Sequence, residues 1–147
     1  MSELPQMESY DEFVEALEII DDEDMRFEYI IDMGKRADKS GFAEEWKSDA
    51  NLMHGCMSRV WIVARAENGR HFFKGSSDAI IVKGLVSMMV ESFSGLTVEE
   101  LDSLNEEHVR KLNLGALTTQ RQVGMLAMLE HMKKLSHAGG NLPAGAA

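Results

Sequence analysis

Thiol groups are scarce in this sequence, because its 147 residues include one cysteine, Cys56. A single cysteine excludes an internal disulfide, and it excludes a zinc or iron–sulfur site that needs several thiolates from this chain. Long apolar runs are also missing. The longest apolar-rich stretch, residues 79–90, is shorter than the roughly 20 residues that cross a bilayer. These absences predict a reduced protein without a transmembrane helix.

Positive charge is scarce as well, since 15 basic residues stand against 25 acidic ones, for a formal net charge of -10. A general nucleic-acid binder needs a basic face to replace phosphate counterions, and docking on anionic membranes needs one too. The charge therefore argues against both kinds of partner. Apolar residues make up 44% of the chain, too many for a disordered acidic segment. The length suits one globular domain.

The first residues, Met-Ser-Glu-Leu-Pro, predict no secretory signal, because they have no basic region and no apolar run after them. A cytoplasmic location is the corresponding expectation. Neither the composition nor this end of the chain identifies a partner.

Two amphipathic helices are predicted at the start of the chain. Ser9 and the glutamate three residues later have the spacing of a capping box, and apolar residues recur at helical spacing to about residue 20. The acidic run 21–24 suits the N-terminus of a second helix, which is expected to end between residues 34 and 38. Residues 39–49 show no period and are predicted as a surface loop, held to the body by two aromatic side chains, Phe42 and Trp46.

The centre of the chain has the composition of β-strands. Residues 60–63 are β-branched and aromatic, and the Asn-Gly pair at 68–69 is a strong signal for a hairpin turn, so residues 71–73 form the returning strand. A short strand at about residues 51–53 completes a three-stranded antiparallel sheet. Cys56 then lies on the connection between the first two strands.

A buried helix is predicted to follow this sheet. Ser77 and Asp78 supply capping groups for a helix over residues 78–93, and Gly95 closes it. Apolar residues cover nearly all sides of this segment, so we expect it to be the central helix of the domain.

Three further helices are predicted in the last third of the chain. Thr97 begins a short helix with a capping box, a second covers residues 106–112, and the last covers residues 119–136 with Val123 among its inward residues. Small residues and glycine predict a disordered tail over residues 138–147. The whole is predicted as a single α+β domain over residues 1–137.

Cys56 is the strongest candidate for a chemically reactive residue. A thiol acts as a nucleophile in its thiolate form, which needs exposure and electropositive surroundings. Gly55 permits a tight turn before it, and a loop on a rigid sheet is a common place for a reactive group. A lone intracellular cysteine is equally well explained as a small buried apolar residue, so both interpretations stay open.

His54 lies two residues before the cysteine, a spacing that permits contact on an extended strand. Hydrolytic chemistry would also need an orienting carboxylate and an oxyanion hole, and no motif supplies either. A partly exposed histidine beside a turn is the simpler interpretation. Asp49, His54 and Cys56 lack a further ligand of defined spacing, so no metal site is predicted. Met53 and Met57 flank the loop and could shield a reactive sulfur.

Three polar residues at predicted helix starts are further candidates. Ser77 and Asp78 are explained by capping, whatever else they do. Arg121 lies near the start of an apolar helix, where the helix dipole disfavours a cation. Arg121 is therefore a candidate for contact with an anionic group, with a solvated arginine as the alternative.

Four blocks of the sequence resemble the SufE family. Residues 27–34, Phe-Glu-Tyr-Ile-Ile-Asp-Met-Gly, resemble its tyrosine, isoleucine and glycine pattern, and residues 55–62, Gly-Cys-Met-Ser-Arg-Val-Trp-Ile, are similar to its Gly-Cys-Gln-Ser-x-Val-Trp. Residues 77–85, Ser-Asp-Ala-Ile-Ile-Val-Lys-Gly-Leu, and residues 117–125, Leu-Thr-Thr-Gln-Arg-Gln-Val-Gly-Met, resemble two further motifs. The blocks keep the family's order and cover roughly residues 24–135.

This resemblance implies a sulfur-acceptor protein of iron–sulfur cluster assembly. Members take sulfur from the persulfide of a PLP-dependent, SufS-like cysteine desulfurase onto the cysteine that matches Cys56, and pass it to a SufBCD-like scaffold. The implied fold is α+β and related to IscU, and the implied role is that of an activator without a cofactor of its own, not of a desulfurase. The resemblance also implies a cysteine loop and partner interface that include His54, Gly55, Met57, Ser58, Ser77, Asp78 and Arg121.

The sequence departs from the family at three places. Met57 replaces a glutamine, the tryptophan near the start of the second helix is missing, and Thr119 and Gln120 replace a proline and a serine. One thiolate suffices for persulfide exchange, whereas a cluster scaffold would need about three such ligands. A regulatory module that binds a desulfurase without transferring sulfur is the remaining alternative.

Overall fold

A computed structural model describes residues 7–53, 58–112 and 119–142. Within these ranges the chain forms six α-helices and four β-strands. In chain order they are α1 (Glu8–Ile19), α2 (Glu23–Ser40), β1 (Leu52–Met53), β2 (Val60–Glu67), β3 (Arg70–Ser77), α3 (Ile80–Phe93), β4 (Leu96–Thr97), α4 (Val98–Asp102), α5 (Glu106–Lys111) and α6 (Thr119–His137). Two 3₁₀ turns, Glu44–Trp46 and Asp49–Asn51, precede β1. The predicted α+β class is confirmed.

The sheet is antiparallel with strand order β1-β2-β3-β4. Its centre is the β2–β3 hairpin, whose two turn residues, Asn68 and Gly69, both have positive φ, at 53° and 77°. This geometry is the one that matches the twist of the flanking strands, so the predicted hairpin is confirmed. Its register runs from Glu67 opposite Arg70 at the turn to Val60 opposite Ser77 at the far end.

The sheet has four strands among the described residues, and the prediction of three was wrong. Gly95, at φ 90°, turns the chain after α3, and its N–H donates to the His71 carbonyl at 2.7 Å. The next two residues therefore lie along the edge of β3, with Leu96 opposite His71. Thr97 was predicted as a helix cap, and it is one, with the full capping box to Glu100.

Helix α3 is the central helix, as predicted. It packs on one face of the sheet and against α2, and its buried residues include Leu85, Val86 and Met89. Alternate residues of β2, among them Val60 and Ile62, face the same core.

Helices α2 and α3 cross with their backbones nearly touching. A Cβ at Gly34 would collide with the carbonyl oxygen of Ile80, and one at Gly84 would collide with that of Ile30. Gly34 serves this crossing and does not terminate the helix, so α2 continues to Ser40, beyond the predicted end.

Three details of the predicted helices were wrong. Met7 occupies the cap position of α1 without a side-chain hydrogen bond, so Ser9 lies inside the first turn and does not cap it. Helix α3 begins at Ile80, two residues after the predicted start, because the Asp78 side chain accepts a hydrogen bond from Arg59 and does not cap the helix. Val123 is 56% exposed, so that position of α6 faces solvent.

Residues 138–142 turn back along β2 and do not leave the domain. Asn141 accepts a hydrogen bond from the Ala64 N–H at 2.7 Å through Oδ1, and the N–H groups of Asn141 and Leu142 donate to the Ala64 carbonyl at 2.9 Å. Since β1 pairs only with Val60 and Trp61, this segment continues along the same edge of β2. The disorder predicted from residue 138 therefore does not begin there, and residues 143–147 lie outside the described ranges.

Candidate functional site

The connection from β1 to β2 carries the candidate cysteine. Four of the predicted site residues on it lie outside the described residues: His54, Gly55, Cys56 and Met57. Met53 pairs with Val60 at the last position of β1, and the described chain resumes at the half-buried Ser58, two residues after the cysteine. The described site is therefore the end of the sheet at which this connection leaves and re-enters.

Arg59 is held to the opposite strand end by hydrogen bonds from both its backbone and its side chain. Its N–H donates to Asp78 Oδ1 at 3.1 Å and its Nε donates to Asp78 Oδ2 at 3.0 Å. Its carbonyl accepts from Ser77 Oγ at 2.7 Å and from the Asp78 N–H at 3.3 Å. We call Arg59, Ser77 and Asp78 the strand-end cluster. The cluster fixes the point where the cysteine segment joins β2 against the start of α3.

The strand-end cluster contains one ion pair, between Arg59 and Asp78. The hydrogen bond from the Arg59 side chain is the largest cause that holds the pKa of Asp78 below its ordinary value. The Arg59 guanidinium also lies 5.4 Å from the centre of the Trp61 ring, and the Lys47 ammonium lies 6.0 Å from the same ring. These cation–π contacts place positive charge on the face of a tryptophan that is otherwise buried.

Sequence reasoning missed Arg59, although a signal for it was present. The two-residue turn at Asn68 and Gly69 fixes the register of the hairpin, and counting outward from it places residue 59 opposite residue 78. An arginine opposite an aspartate predicts a cross-strand ion pair. Asp78 was instead predicted as a helix cap, because the helical pattern that follows it is strong.

The predicted site residues are only partly brought together by the described structure. Ser77 and Asp78 lie in the strand-end cluster, and Ser58 precedes it directly in the chain. Arg121 lies in the first turn of α6, one helical turn before the buried Met125. The side chain of Arg121 lies outside the part of the chain that the structure describes.

The described residues also bear on metal binding and on membranes. Within the described ranges, no group of three or more His, Cys, Asp or Glu side chains is placed to hold a metal ion. No described helix combines the length and apolar character needed to cross a membrane.

Comparison with known proteins identifies the domain. The SufE family model, described as an Fe-S metabolism associated domain, matches residues 11–136. An uncharacterized SufE-like protein of Rhizobium etli is 33% identical over 134 residues, which cover 87% of this chain and 89% of that protein. One from Synechocystis is 33% identical over 121 residues, covering 82% of this chain and 75% of that protein.

A plant relative is more distant. SufE-like protein 1, chloroplastic/mitochondrial, of Arabidopsis thaliana is 27% identical over 125 residues, covering 84% of this chain and 33% of that protein. The match over residues 11–136 and the two bacterial relatives agree with the four sequence blocks. The chain belongs to the SufE family and takes part in Fe-S metabolism.

Proposed function

We propose that this chain is a sulfur carrier. It takes sulfur from the persulfide of a PLP-dependent, SufS-like cysteine desulfurase onto Cys56, stimulates that enzyme, and passes the sulfur to a SufBCD-like cluster-assembly scaffold. The observation that carries the proposal is the one cysteine of the chain, which lies in the Gly-Cys-x-Ser-x-Val-Trp block of a SufE domain. The chain binds no cofactor for this role.

The proposed step is an exchange between sulfurs. The Cys56 thiolate attacks the terminal sulfur of the donor persulfide, and a bond forms between Cys56 Sγ and that sulfur. The S–S bond of the donor breaks, and its electron pair leaves on the donor cysteine as a thiolate. The proton that Cys56 gives up balances the one that the donor thiolate takes up, so no external oxidant or reductant is needed.

A chain with a single cysteine is suited to carrying sulfur as a persulfide. A second thiol in the same chain could attack the loaded persulfide and form an internal disulfide, which would discharge the sulfur. Apolar neighbours such as Met57 would shield the loaded sulfur from reductants and from over-oxidation. A scaffold has the opposite requirement, since it needs several thiolates to hold a cluster.

We assign supporting roles to the other site residues. Arg121 is proposed to stabilise the Cys56 thiolate or the incoming persulfide, as a cation lowers a thiol pKa. The strand-end cluster anchors the C-terminal side of the cysteine segment. The remaining residues are proposed to form the loop and partner interface: His54, Gly55, Met57 and Ser58.

Desulfurase turnover distinguishes a carrier from a regulator. With cysteine as substrate, the wild-type chain should raise the turnover of a PLP-dependent desulfurase, because accepting the sulfur frees the donor cysteine for the next cycle. Cys56→Ser should abolish this stimulation, whereas Ser103→Ala, at an exposed position after α4, should retain it. If Cys56→Ser stimulates as well as wild type, the chain is a regulatory partner and the carrier proposal fails.

Reconstitution with iron and sulfide tests whether the chain is instead a scaffold that holds an iron–sulfur cluster. A carrier with one thiol should hold no stable cluster after desalting, as measured by visible absorbance and iron content. A stable cluster on each chain would contradict the proposal.

A further inference from the structure

A cavity of about 310 Å³ lies beside β3, between the C-terminal halves of α2 and α3. It shares no lining residue with the strand-end cluster. Its innermost wall is apolar and buried, formed by Met33, Phe73 and Val90. Phe42, in the turn after α2, closes one side.

The rim of this cavity carries two cations and one carboxylate: Arg36, Lys74 and Glu91. Glu91 is engaged, because Ser87 Oγ donates to it at 3.2 Å. Among the described residues neither Arg36 nor Lys74 takes part in an ion pair.

The side-chain nitrogens of Arg36 and Lys74 lie near groups that accept hydrogen bonds poorly. Arg36 Nη1 lies 3.7 Å from Met33 Sδ, a poor hydrogen-bond acceptor. Lys74 Nζ lies 5.8 Å from the centre of the Trp46 ring. The planar guanidinium of arginine is suited to a carboxylate, with which it forms two parallel hydrogen bonds.

We propose that this cavity binds a small amphipathic monoanion, an apolar chain or ring that ends in one carboxylate. The apolar part lies on the wall of Met33, Phe73 and Val90, and the carboxylate faces Arg36 and Lys74. Glu91 on the same rim disfavours a second negative charge on the ligand. Allowing roughly 30 Å³ for each water-sized group, the cavity holds about ten non-hydrogen atoms. Octanoate has this size.

Calorimetric titration of the full chain with octanoate tests the proposal, with octan-1-ol as the neutral compound of the same chain length. Octanoate should bind saturably, and octan-1-ol about 9- to 25-fold more weakly, because it loses two partly exposed ion pairs that each supply a factor of about three to five. Absence of saturable binding, or equal affinity for the two compounds, would overturn the proposal.

Substitutions locate the site. Lys74→Gln and Arg36→Gln should each weaken octanoate about three- to fivefold and leave octan-1-ol unchanged, whereas Lys74→Arg should retain the affinity. Ala37→Leu enlarges a side chain on the cavity wall and should weaken both compounds. Arg110→Gln, on α5, is the matched control. If none of the cavity variants changes octanoate affinity, the ligand binds elsewhere and the proposal is wrong.

Tryptophan fluorescence gives a second readout. Phe42 lines the cavity and meets Trp46 edge-on, with ring centroids 5.2 Å apart. Octanoate should therefore change the emission of Trp46, measured in a Trp61→Phe background. Cys56→Ser should bind octanoate like wild type, so this result is separate from the outcome of the sulfur-transfer experiments.

Discussion

Arg59 is the side chain that ties the cysteine segment to the rest of the domain. The ion pair with Asp78 is largely solvated, since the two side chains are 67% and 39% exposed. Exposed pairs contribute about 1 kcal/mol at most. The hydrogen bonds on the Arg59 backbone fix its geometry, so we expect the strand-end cluster to position the segment more than it stabilises the fold.

The effect of Arg59→Gln on the free energy of unfolding, measured at two pH values, tests the contribution of the ion pair. Arg59 lowers the folded-state pKa of Asp78 below its ordinary 3.8, so the stabilisation is present above that value and is lost as the pH falls through the lowered pKa. Arg59→Gln should cost at most about 1 kcal/mol at pH 7, and the difference from wild type should be smaller at pH 3, which lies below the ordinary pKa of the carboxyl group. Urea denaturation at both pH values measures it.

The control for that substitution is Lys35→Gln on α2, which removes a cation that has no ion pair among the described residues. Its effect should not change between the two pH values. An Arg59→Gln effect that is the same at pH 3 and at pH 7 would show that the ion pair does not contribute.

At the scale of elements, the crossing of α2 and α3 depends on glycine. Gly84→Ala places a methyl group against the Ile30 carbonyl oxygen, so the helices must move apart. Overpacking of this kind costs about 1–3 kcal/mol. Urea denaturation should show that loss for Gly84→Ala, while Ser87→Ala on the same helix should have a much smaller effect. A Gly84→Ala protein as stable as wild type would contradict the observed crossing.

The segment after α6 protects the edge of β2. Asn141→Ala removes the acceptor of the buried Ala64 N–H. An unsatisfied buried donor costs about 1–3 kcal/mol, so stability should fall by that amount and the Ala64 amide should exchange faster with solvent. Hydrogen exchange and urea denaturation measure the two effects. Lys134→Ala, at an exposed position of α6, is the control, and equal exchange rates at Ala64 in both variants would refute this role.

Elements with a strong local pattern could be predicted from the sequence. The turn at residues 68–69, the capping box of Thr97 and the apolar helix α3 were found because each depends on neighbouring residues alone. The strand β4, the edge contact of Asn141 and the exposure of Val123 depend on parts of the chain far apart in sequence. Local patterns do not contain that information.

The same limit applies to the candidate site. The cysteine and its motif could be identified as candidates from the sequence because the residues are contiguous, and this assignment stays a prediction because residues 54–57 lie outside the described ranges. Asp78 was identified as a candidate, but its partner Arg59 was missed since their contact spans the whole hairpin. The cavity beside β3 is lined by residues of α2, β3 and α3, which are far apart in sequence. No sequence motif predicts such a site.

In the molecule as a whole, different regions have different tasks. The sheet and α3 pack together, and the connection between β1 and β2, which carries the only cysteine of the sequence, leaves from one end of the sheet. A carrier needs this arrangement, because a partner must reach one sulfur while the rest of the fold stays intact. The acidic surface does not identify that partner.

The mass of the Cys56 peptide shows whether this cysteine accepts sulfur. The full chain is incubated with a PLP-dependent cysteine desulfurase and cysteine, digested without reductant and measured by mass spectrometry. We predict a gain of one sulfur atom on the peptide that contains Cys56, removed by dithiothreitol and absent in Cys56→Ser. A Cys56 peptide of unchanged mass, in a mixture where the desulfurase turns over faster because the chain is present, would contradict sulfur transfer.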